Sequence, residues 1–240
     1  MEIRKTKKRG RPLNLKETDT VERKLRLYVE LLACANRRAR LTGPADPETL
    51  YREHVLDAMA GLPWLPEGKS FVDVGTGGGL PGLVWCLCRP DLRGVLIDSV
   101  RRKVELLQEM ASALGCSNAT ILHTRSEELA RNRREDFFAA TGRAVTHSCI
   151  LAEYLSPLVR PGGRLIAFKG PAVRAELAIS EGRWGHLGLG APKLYGYKNA
   201  GKEGFVVIWD KLRPAPSRYP RAPGMATKKP WCRLPEKPTS

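Results

Sequence analysis

The sequence predicts an α/β fold in which helices cover both faces of a mostly parallel sheet. Short apolar runs, typical of buried strands, alternate along the chain with segments whose apolar residues recur every three or four positions. This alternation indicates successive strand–helix units. A glycine-rich stretch at residues 75–82 joins the first apolar run to a helical pattern. Hydrophobic residues make up 42% of the 240 residues, which is enough for a packed core.

A small helical cap is predicted ahead of the sheet, over residues 21–66. Apolar residues at three- and four-residue steps indicate a first helix over residues 21–39. A second helix is expected from residue 47 to about residue 62, since Asp46 is a good N-cap and Pro47 suits the first helical position.

The main domain is predicted over residues 67–210. Its strands are expected at residues 71–74, 94–97, 119–122, 137–141, 164–168 and 203–209. The helices between them are expected to begin at Pro81, to cover residues 101–114, to begin at Ser126 and to cover residues 148–159. Gly115 is expected to end the helix before it, because glycine adopts the left-handed conformation that ends many helices.

The net charge of +16 is concentrated at the two ends of the chain. Residues 1–12 carry six Lys or Arg and one acid, and residues 211–240 carry eight and one. Such segments suit an anionic polymer, because neutralised phosphates release counterions; solubilising tails are the alternative. Residues 1–20 are therefore predicted to form a flexible basic arm, and the later segment an extended Pro-rich tail. Tyr219 and Trp231 in that tail are candidates for stacking on bases.

The cysteines and the apolar segments point to a cytoplasmic protein. None of the six cysteines belongs to a Cys-x-x-Cys pair, which predicts reduced, buried thiols and neither a disulfide framework nor a metal site. No stretch approaches 18 uninterrupted apolar residues, and the charged start has no apolar run behind it. We therefore expect no membrane helix and no secretory signal. Nothing indicates an obligate dimer, so a monomer is expected.

The glycine-rich stretch leaves two cofactors open, a nicotinamide dinucleotide and S-adenosylmethionine. Gly75, Gly77 and Gly79 follow the first strand, where glycines let the backbone turn sharply and approach a ligand closely. The spacing Gly77-x-Gly79-x-x-Gly82 also satisfies the dinucleotide pattern. A tight turn that binds nothing is a third interpretation.

Two residues favour S-adenosylmethionine. Asp73 directly precedes the loop, where an acid can position the ammonium group of that cofactor but would repel a pyrophosphate. Pro81 removes one N–H from the start of the following helix, which suits a ligand without phosphate. Asp98, at the end of the second strand, can bind both ribose hydroxyls. It does not discriminate between the cofactors, and a plain turn residue is its alternative role.

Seven stretches carry a resemblance to a known family. They are LTGPADPETLYREHVLDA (41–58), DVGTGGGLPG (73–82), IDSVRRKVELLQ (97–108), TRSEEL (124–129), GRAV (142–145), LVRPGGRLIAFKG (158–170) and SRYPRAPGMATKKP (217–230). Over about residues 25–231 the chain resembles the RsmG (GidB) family of bacterial methyltransferases. The Leu-Pro-Gly ending of the second stretch is more specific than the glycines. The chain departs from the family pattern at Ala35, Arg40, Ala58 and Gly142.

The resemblance implies a fold and an activity. The fold would be Rossmann-like, of the class I S-adenosylmethionine-dependent methyltransferases, with a seven-stranded, mostly parallel sheet. The activity would be methylation of N7 of a guanine in 16S ribosomal RNA, with that RNA or the small ribosomal subunit as partner. The resemblance also implies that Gly75 and Leu80 line the cofactor, that Ser126 and Glu127 border the adenine, and that Arg143 reaches the site.

The implied reaction needs no general base. Guanine N7 carries a lone pair and no proton, so alignment of the reactants supplies most of the acceleration. Arg143 is the candidate positioning residue, binding the cofactor carboxylate or an RNA phosphate; a surface arginine is its alternative. His54, Asp57 and Lys169 are further candidates, each with a structural alternative. Cys149 is expected to be buried and structural rather than a nucleophile.

Two other functions remain open from the residues alone. A non-catalytic RNA-binding or ribosome assembly factor would keep the cofactor loop as a relic. A nicotinamide-dependent oxidoreductase would use the same type of sheet with a dinucleotide on the glycine loop.

Overall fold

A seven-stranded sheet with the strand order β3-β2-β1-β4-β5-β7-β6 organises the protein. The computed structural model describes residues 15–43 and 46–232, with side chains from residue 20 onward. The strands are β1 (Ser70–Val74), β2 (Arg93–Asp98), β3 (Ala119–His123), β4 (Phe137–Arg143), β5 (Val159–Lys169), β6 (Lys193–Asn199) and β7 (Lys202–Asp210). The first five strands pair in parallel, whereas β7 is antiparallel to both of its neighbours. The predicted seven-stranded, mostly parallel sheet is therefore confirmed.

Helices cover both faces of the sheet. They are α1 (Leu15–Asn36), α2 (Pro47–Thr49), α3 (Leu56–Met59), α4 (Gly82–Cys88), α5 (Arg101–Ala113), α6 (Ser126–Asn132), α7 (Ser148–Leu155), α8 (Val173–Ala178) and α9 (Met225–Lys228). The first five pack on one face and α6 to α9 on the other. Successive strand residues point to opposite faces, so Phe71 joins one core and Val72 the other.

The N-terminal cap is helical, as predicted, but its helices have different bounds. The helix α1 begins at Leu15 rather than at residue 21, so part of the predicted basic arm is helical and the rest of it lies outside the described residues. Asp46 is the N-cap of α2, accepting a hydrogen bond from the Thr49 backbone N–H at 3.0 Å. A π-helical turn, Leu50–Val55, connects α2 to α3.

The C-terminal segment, which we define as residues 211–232, packs against the second face of the sheet. The sequence predicts an extended tail from residue 211, whereas Lys211 is fully buried and donates to the Ser156 carbonyl at 2.7 Å. Arg221 binds both carboxylate oxygens of the buried Glu153 at 2.6 Å. The apolar residues of the segment are scattered and show no helical periodicity, yet they pack into the core. For this reason the composition of the segment predicted an extended tail and gave no sign of its packing.

Two predictions for the aromatic residues and cysteines of this segment are wrong. Tyr219 is buried, and Trp231 donates its indole N–H to the Cys149 carbonyl at 2.8 Å. The Tyr219 ring is therefore not free to stack on a base, whereas stacking by the half-buried Trp231 stays a prediction. Cys149 is buried, as expected, but it forms a disulfide with Cys232, 83 residues later. The spacing of the cysteines could not indicate a pair that only the return of the C-terminal segment brings together.

Within the described residues, no helix combines the length and the apolar character that crossing a membrane requires.

Candidate functional site

A cavity of about 640 Å³ opens at the edge of the sheet where the parallel strands end. Ligands bind at this edge in open α/β sheets, because the loops that follow the strands gather there. Its walls come from the loop after β1, the ends of β4 and β5, the N-terminal cap and the β6–β7 turn. Of the predicted cofactor residues, Gly75, Leu80 and Arg143 line it directly.

The glycine loop has the backbone conformation that the sequence predicts. Gly75, Gly77 and Gly79 all have positive φ, at 71°, 54° and 98°. A side chain at Gly75 would meet Val145 at 3.1 Å on the cavity wall. At Gly79 a side chain would instead meet Leu83 and Leu107 at 2.7 and 2.9 Å. Gly75 therefore keeps the cavity open, whereas Gly79 allows close packing of the helices beneath the loop.

Asp73 lies beneath the glycine loop and is fully buried. One carboxylate oxygen, Oδ2, accepts hydrogen bonds from the Thr76 hydroxyl at 2.7 Å and the Gly82 N–H at 2.9 Å. The other oxygen, Oδ1, has no partner among the described residues. Burial raises the pKa of Asp73 to about 6, although these hydrogen bonds act in the opposite direction. An ammonium group would supply the partner that Oδ1 lacks, so this residue fits the predicted cofactor.

Asp98 holds the glycine loop to the end of β2. Its Oδ2 accepts from the Gly77 N–H at 3.0 Å and its Oδ1 from the Val100 N–H at 2.9 Å. Each carboxylate oxygen keeps a lone pair beyond these bonds. Binding of ribose hydroxyls by this carboxylate stays a prediction.

Ser126 and Glu127 lie at the start of α6, both buried. Glu127 accepts from the Ser126 hydroxyl through Oε2 and from the Gly224 N–H through Oε1, each at 3.0 Å. The C-terminal segment therefore covers the place where the resemblance puts the adenine. These two residues do not line the cavity of Gly75, and neither do Asp73, Gly77, Gly79 and Asp98. The cofactor contacts of all six stay predictions.

Arg143 is the last residue of β4 and joins the sheet to the N-terminal cap. Its guanidinium donates to Asp57 Oδ2 at 3.0 Å and lies 3.5 Å from His54 Nδ1. Tyr197 of β6 donates its hydroxyl to the other Asp57 oxygen. Burial, followed by the charge of Arg143, lowers the pKa of His54, so the imidazole is neutral at pH 7. The structure brings Arg143 together with two candidates that lie 86 and 89 residues earlier in the sequence.

Lys169, the last residue of β5, forms its hydrogen bonds with other residues of the protein. Its ammonium group donates to the Thr146 carbonyl at 2.6 Å and to Glu176 at 2.8 Å. Burial raises the pKa of Glu176, but the hydrogen bonds from Lys169 and Ser148 outweigh it and leave that pKa below its usual value. Lys202 on the same cavity wall pairs with Glu53 at 2.7 Å. Three of the four cations that line the cavity are therefore paired with acids, whereas Lys103 has no acid partner among the described residues.

Three residues of the site have no place in the sequence-based prediction. They are Tyr28, Thr76 and Tyr197. Tyr28 donates its hydroxyl to the Gly78 carbonyl at 2.9 Å and so ties α1 to the glycine loop. Only Thr76 had a signal in the sequence, because it lies within the glycine stretch itself. The contact of Tyr28 spans 50 residues, and that of Tyr197 depends on a strand that the sequence did not predict.

Comparison with known proteins gives one family and several relatives. A family model described as rRNA small subunit methyltransferase G (GidB) matches residues 21–194. The ribosomal RNA small subunit methyltransferase G of Clostridium perfringens (strain 13) is 36% identical over 216 residues, covering 86% of this chain and 89% of its own length. The protein of that name from Moorella thermoacetica is 38% identical over 209 residues, covering 85% and 87%.

Solved structures of low sequence identity share the fold. A SAM dependent methyltransferase from Aquifex aeolicus superposes with a TM-score of 0.51 at 18% identity, over 70% of this chain and 94% of its own. The O-methyltransferase TomG from Streptomyces achromogenes, solved in complex with SAM, gives 0.53 at 12% identity over 77% and 89%. The fold is therefore the Rossmann-like class I fold of these enzymes, and the predicted fold class is confirmed.

Proposed function

Because the chain belongs to the rRNA small subunit methyltransferase G (GidB) family, we propose that it methylates N7 of a guanine in 16S ribosomal RNA. The methyl donor in this proposal is S-adenosylmethionine, and the reaction takes place in the cytoplasm. The observation that carries the proposal is the buried Asp73, whose Oδ1 has no partner among the described residues. It lies beneath a glycine loop that opens onto a cavity large enough for a cofactor and part of a base.

The first task of the chain is to hold the donor. When bound, S-adenosylmethionine supplies a methyl group on a positively charged sulfur. Asp73 would bind its ammonium group, because a buried carboxylate with a free lone pair gains most from a cationic donor. Gly75 allows the backbone to approach the ligand closely. Asp98 fixes the loop through the Gly77 N–H.

The second task is to orient the acceptor. Arg143 is held by Asp57, and the pair has side-chain exposures of 16% and 20%. The remaining N–H groups of the guanidinium can donate to the guanine O6 or to a phosphate oxygen. Asp57 also neutralises Arg143, which lowers the positive potential in a cavity that must receive a positive sulfur. Guanine N7 has no proton to lose, so the neutral His54 need not act as a base.

The test is methyl transfer from labelled S-adenosylmethionine to small-subunit RNA and to the subunit itself, with the modified atom identified. Gly75→Asp should abolish transfer and weaken binding of S-adenosylhomocysteine, since the new side chain enters the cavity. Gly115→Asp is the matched control, because Gly115 also has positive φ but a side chain there meets nothing within 4 Å. Methylation of a different atom, or of neither substrate by the wild-type protein, would overturn the proposal.

A further inference from the structure

A second groove, of about 570 Å³, lies at the opposite edge of the sheet. It is lined at the starts of five neighbouring strands by Ser70, Arg93, Thr120, Phe137 and Arg160. Because these strands are parallel, their amino ends gather at one edge and their carboxyl ends at the other. We call this the amino-edge groove. It is separate from the cavity of Gly75 and Arg143, and nothing in the proposed reaction uses it.

The amino-edge groove is strongly basic. Four of its lining side chains are cationic: Lys69, Arg93, Arg133 and Arg160. The single acid of the lining, Asp136, is bound by Arg133 at 2.7 Å. Within residues 20–43 and 46–232, the other three cations have no ion-pair partner.

Neighbouring acids do not compensate this charge. Asp91, close to the groove, is already bound by Arg89 at 2.6 Å and by the Gly68 N–H at 2.9 Å. The charges of Lys69, Arg93 and Arg160 are therefore not balanced by an acid among the described residues.

Two of these cations, together with Arg164 outside the groove lining, lie around one aromatic ring. The Lys69 ammonium, the Arg160 guanidinium and the Arg164 guanidinium lie 5.9, 6.0 and 5.5 Å from the centre of the Phe138 ring. Like charges gathered in this way repel one another, and the ring offsets only part of that repulsion. A bound polyanion would remove it, so the arrangement is more favourable with an anionic partner than without one.

Uncharged hydrogen-bond donors complete the lining. The hydroxyl groups of Ser70, Ser117 and Thr120 face the groove, and none of them has a hydrogen-bond partner in the part of the chain that the structure describes. Guanidinium, ammonium and hydroxyl groups together are the donors that phosphate oxygens accept in nucleic-acid complexes.

We propose that the amino-edge groove binds the phosphate backbone of the substrate RNA, at a second place remote from the methylated base. The identity of the RNA rests on the proposed function. From β3 to β5 the groove crosses five strands, which is about 19 Å at the usual spacing of neighbouring strands. That length exceeds one phosphate and suits several consecutive nucleotides. Phosphate contacts fix register and orientation without reading sequence, so this groove would hold the RNA while the target base enters the opposite edge.

The test compares two triple variants with equal loss of charge. The groove variant carries Lys69→Gln, Arg93→Gln and Arg160→Gln. The control variant carries Arg37→Gln, Arg102→Gln and Lys193→Gln, three exposed cations that lie just after α1, on α5 and on β6. Binding of 16S ribosomal RNA is measured as a function of salt, together with thermal unfolding and binding of S-adenosylhomocysteine.

We expect the groove variant to bind RNA at least about tenfold more weakly and to reduce the salt slope by about 2, as expected for the loss of two to three phosphate contacts. The control variant should change the slope by less than half as much. Both variants should keep the wild-type affinity for S-adenosylhomocysteine, because none of the substituted residues lines the cavity. Both should also keep the wild-type melting temperature, because surface substitutions usually change stability little.

Three results would overturn the inference. They are equal effects of the two triple variants on RNA binding, wild-type RNA binding by the groove variant, and loss of inorganic phosphate binding by the groove variant without any change for RNA. The last result would indicate a site for a small anion. If the wild-type protein binds the RNA through the groove but transfers no methyl group, the proposed function fails and the inference about the groove stands.

Discussion

The two edges of the sheet differ in how much of their positive charge is paired with acids, since three of the four cavity cations are paired and Lys103 is not, whereas in the amino-edge groove Arg133 alone is paired among the described residues. At the carboxyl edge Arg143, Lys169 and Lys202 pair with Asp57, Glu176 and Glu53 at 3.0, 2.8 and 2.7 Å. At the amino edge the cations of the groove other than Arg133 have no acid partner among the described side chains. The Arg143 and Lys169 pairs are largely buried, which fixes those side chains in position, whereas unpaired cations are free to bind an external anion. The comparison separates a preorganised chemical site from a surface suited to docking.

Among the variants that remove a charge from one of the two edges, the largest effect on methyl transfer is expected from breaking the Arg143–Asp57 pair. Arg143→Gln leaves a half-buried carboxylate with only Tyr197 and removes the donors that face the cavity. We expect methyl transfer to fall about 100-fold, the equivalent of a lost charge-assisted hydrogen bond of about 2–3 kcal/mol. Single-turnover transfer with saturating donor measures this effect.

The isosteric Asp57→Asn is the control for this prediction. It keeps the shape of the pair but leaves Arg143 uncompensated, so transfer should fall by a smaller factor, about tenfold. If Arg143→Gln transferred methyl groups at the wild-type rate, Arg143 would have no role in orienting the acceptor. The carboxyl edge would then not be a preorganised chemical site.

A smaller effect, with a specific pH dependence, is expected at Asp73. Its pKa of about 6 in the free protein means that the carboxyl is protonated, and a poor partner for an ammonium group, below that pH. S-adenosylhomocysteine affinity should therefore fall by up to about tenfold per pH unit as the pH drops below 6. Calorimetry between pH 5 and 8 measures it.

Asp73→Asn should bind S-adenosylhomocysteine about tenfold more weakly at pH 8 and show no such pH dependence, since one charge-assisted bond is lost.

The free energy of unfolding of the ligand-free protein should change with pH in the opposite direction to the affinity. The folded pKa lies above the ordinary value of 3.8, so ionisation of Asp73 lowers the free energy of unfolding as the pH rises from about 4 to 6. A wild-type affinity that did not vary over this range would exclude the ammonium role.

The sequence predicts most of the parallel part of the fold, since its signals there are local. Apolar runs mark the strands β1 to β5, and the buried positions of α5, among them Val104 and Leu107, follow the predicted periodicity. Asp46 is recognised from the residues beside it. By contrast, β6 lies at the edge of the sheet, and Leu194 is its single buried residue. A strand with so little apolar alternation gives no pattern to detect.

The site is only partly predictable, because many of its contacts join distant parts of the chain. Asp73 was predicted from its position directly before the glycine stretch, and Arg143 from the family resemblance. The contact of Tyr197 with Asp57 spans 140 residues, and that of Gly224 with Glu127 spans 97. The packing of the C-terminal segment depends on such contacts. Its high proline content predicted an extended tail instead.

The last prediction concerns the free energy of unfolding rather than activity. It is the most direct test of the difference between the edges, because it compares one cation from each edge in the same assay. Lys169 and Glu176 have side-chain exposures of 10% and 23%. Lys169→Gln removes the charge that compensates Glu176 and should lower the free energy of unfolding by about 1–3 kcal/mol. Arg160 has no acid partner among the described residues and is exposed. Arg160→Gln should therefore leave stability within about 0.5 kcal/mol of the wild type, with any change toward higher stability.

Urea unfolding of the two variants at low salt, where like-charge repulsion is strongest, measures the difference. Lys193→Gln, which breaks an exposed pair with Asp210, controls for the loss of a lysine and should resemble the Arg160 variant. Raising the salt concentration should reduce any gain from Arg160→Gln, since that gain comes from relief of repulsion around Phe138. If the Arg160 variant were as destabilised as the Lys169 variant, the cations of the amino edge would be structural. The groove would then have no unbalanced charge to offer an RNA.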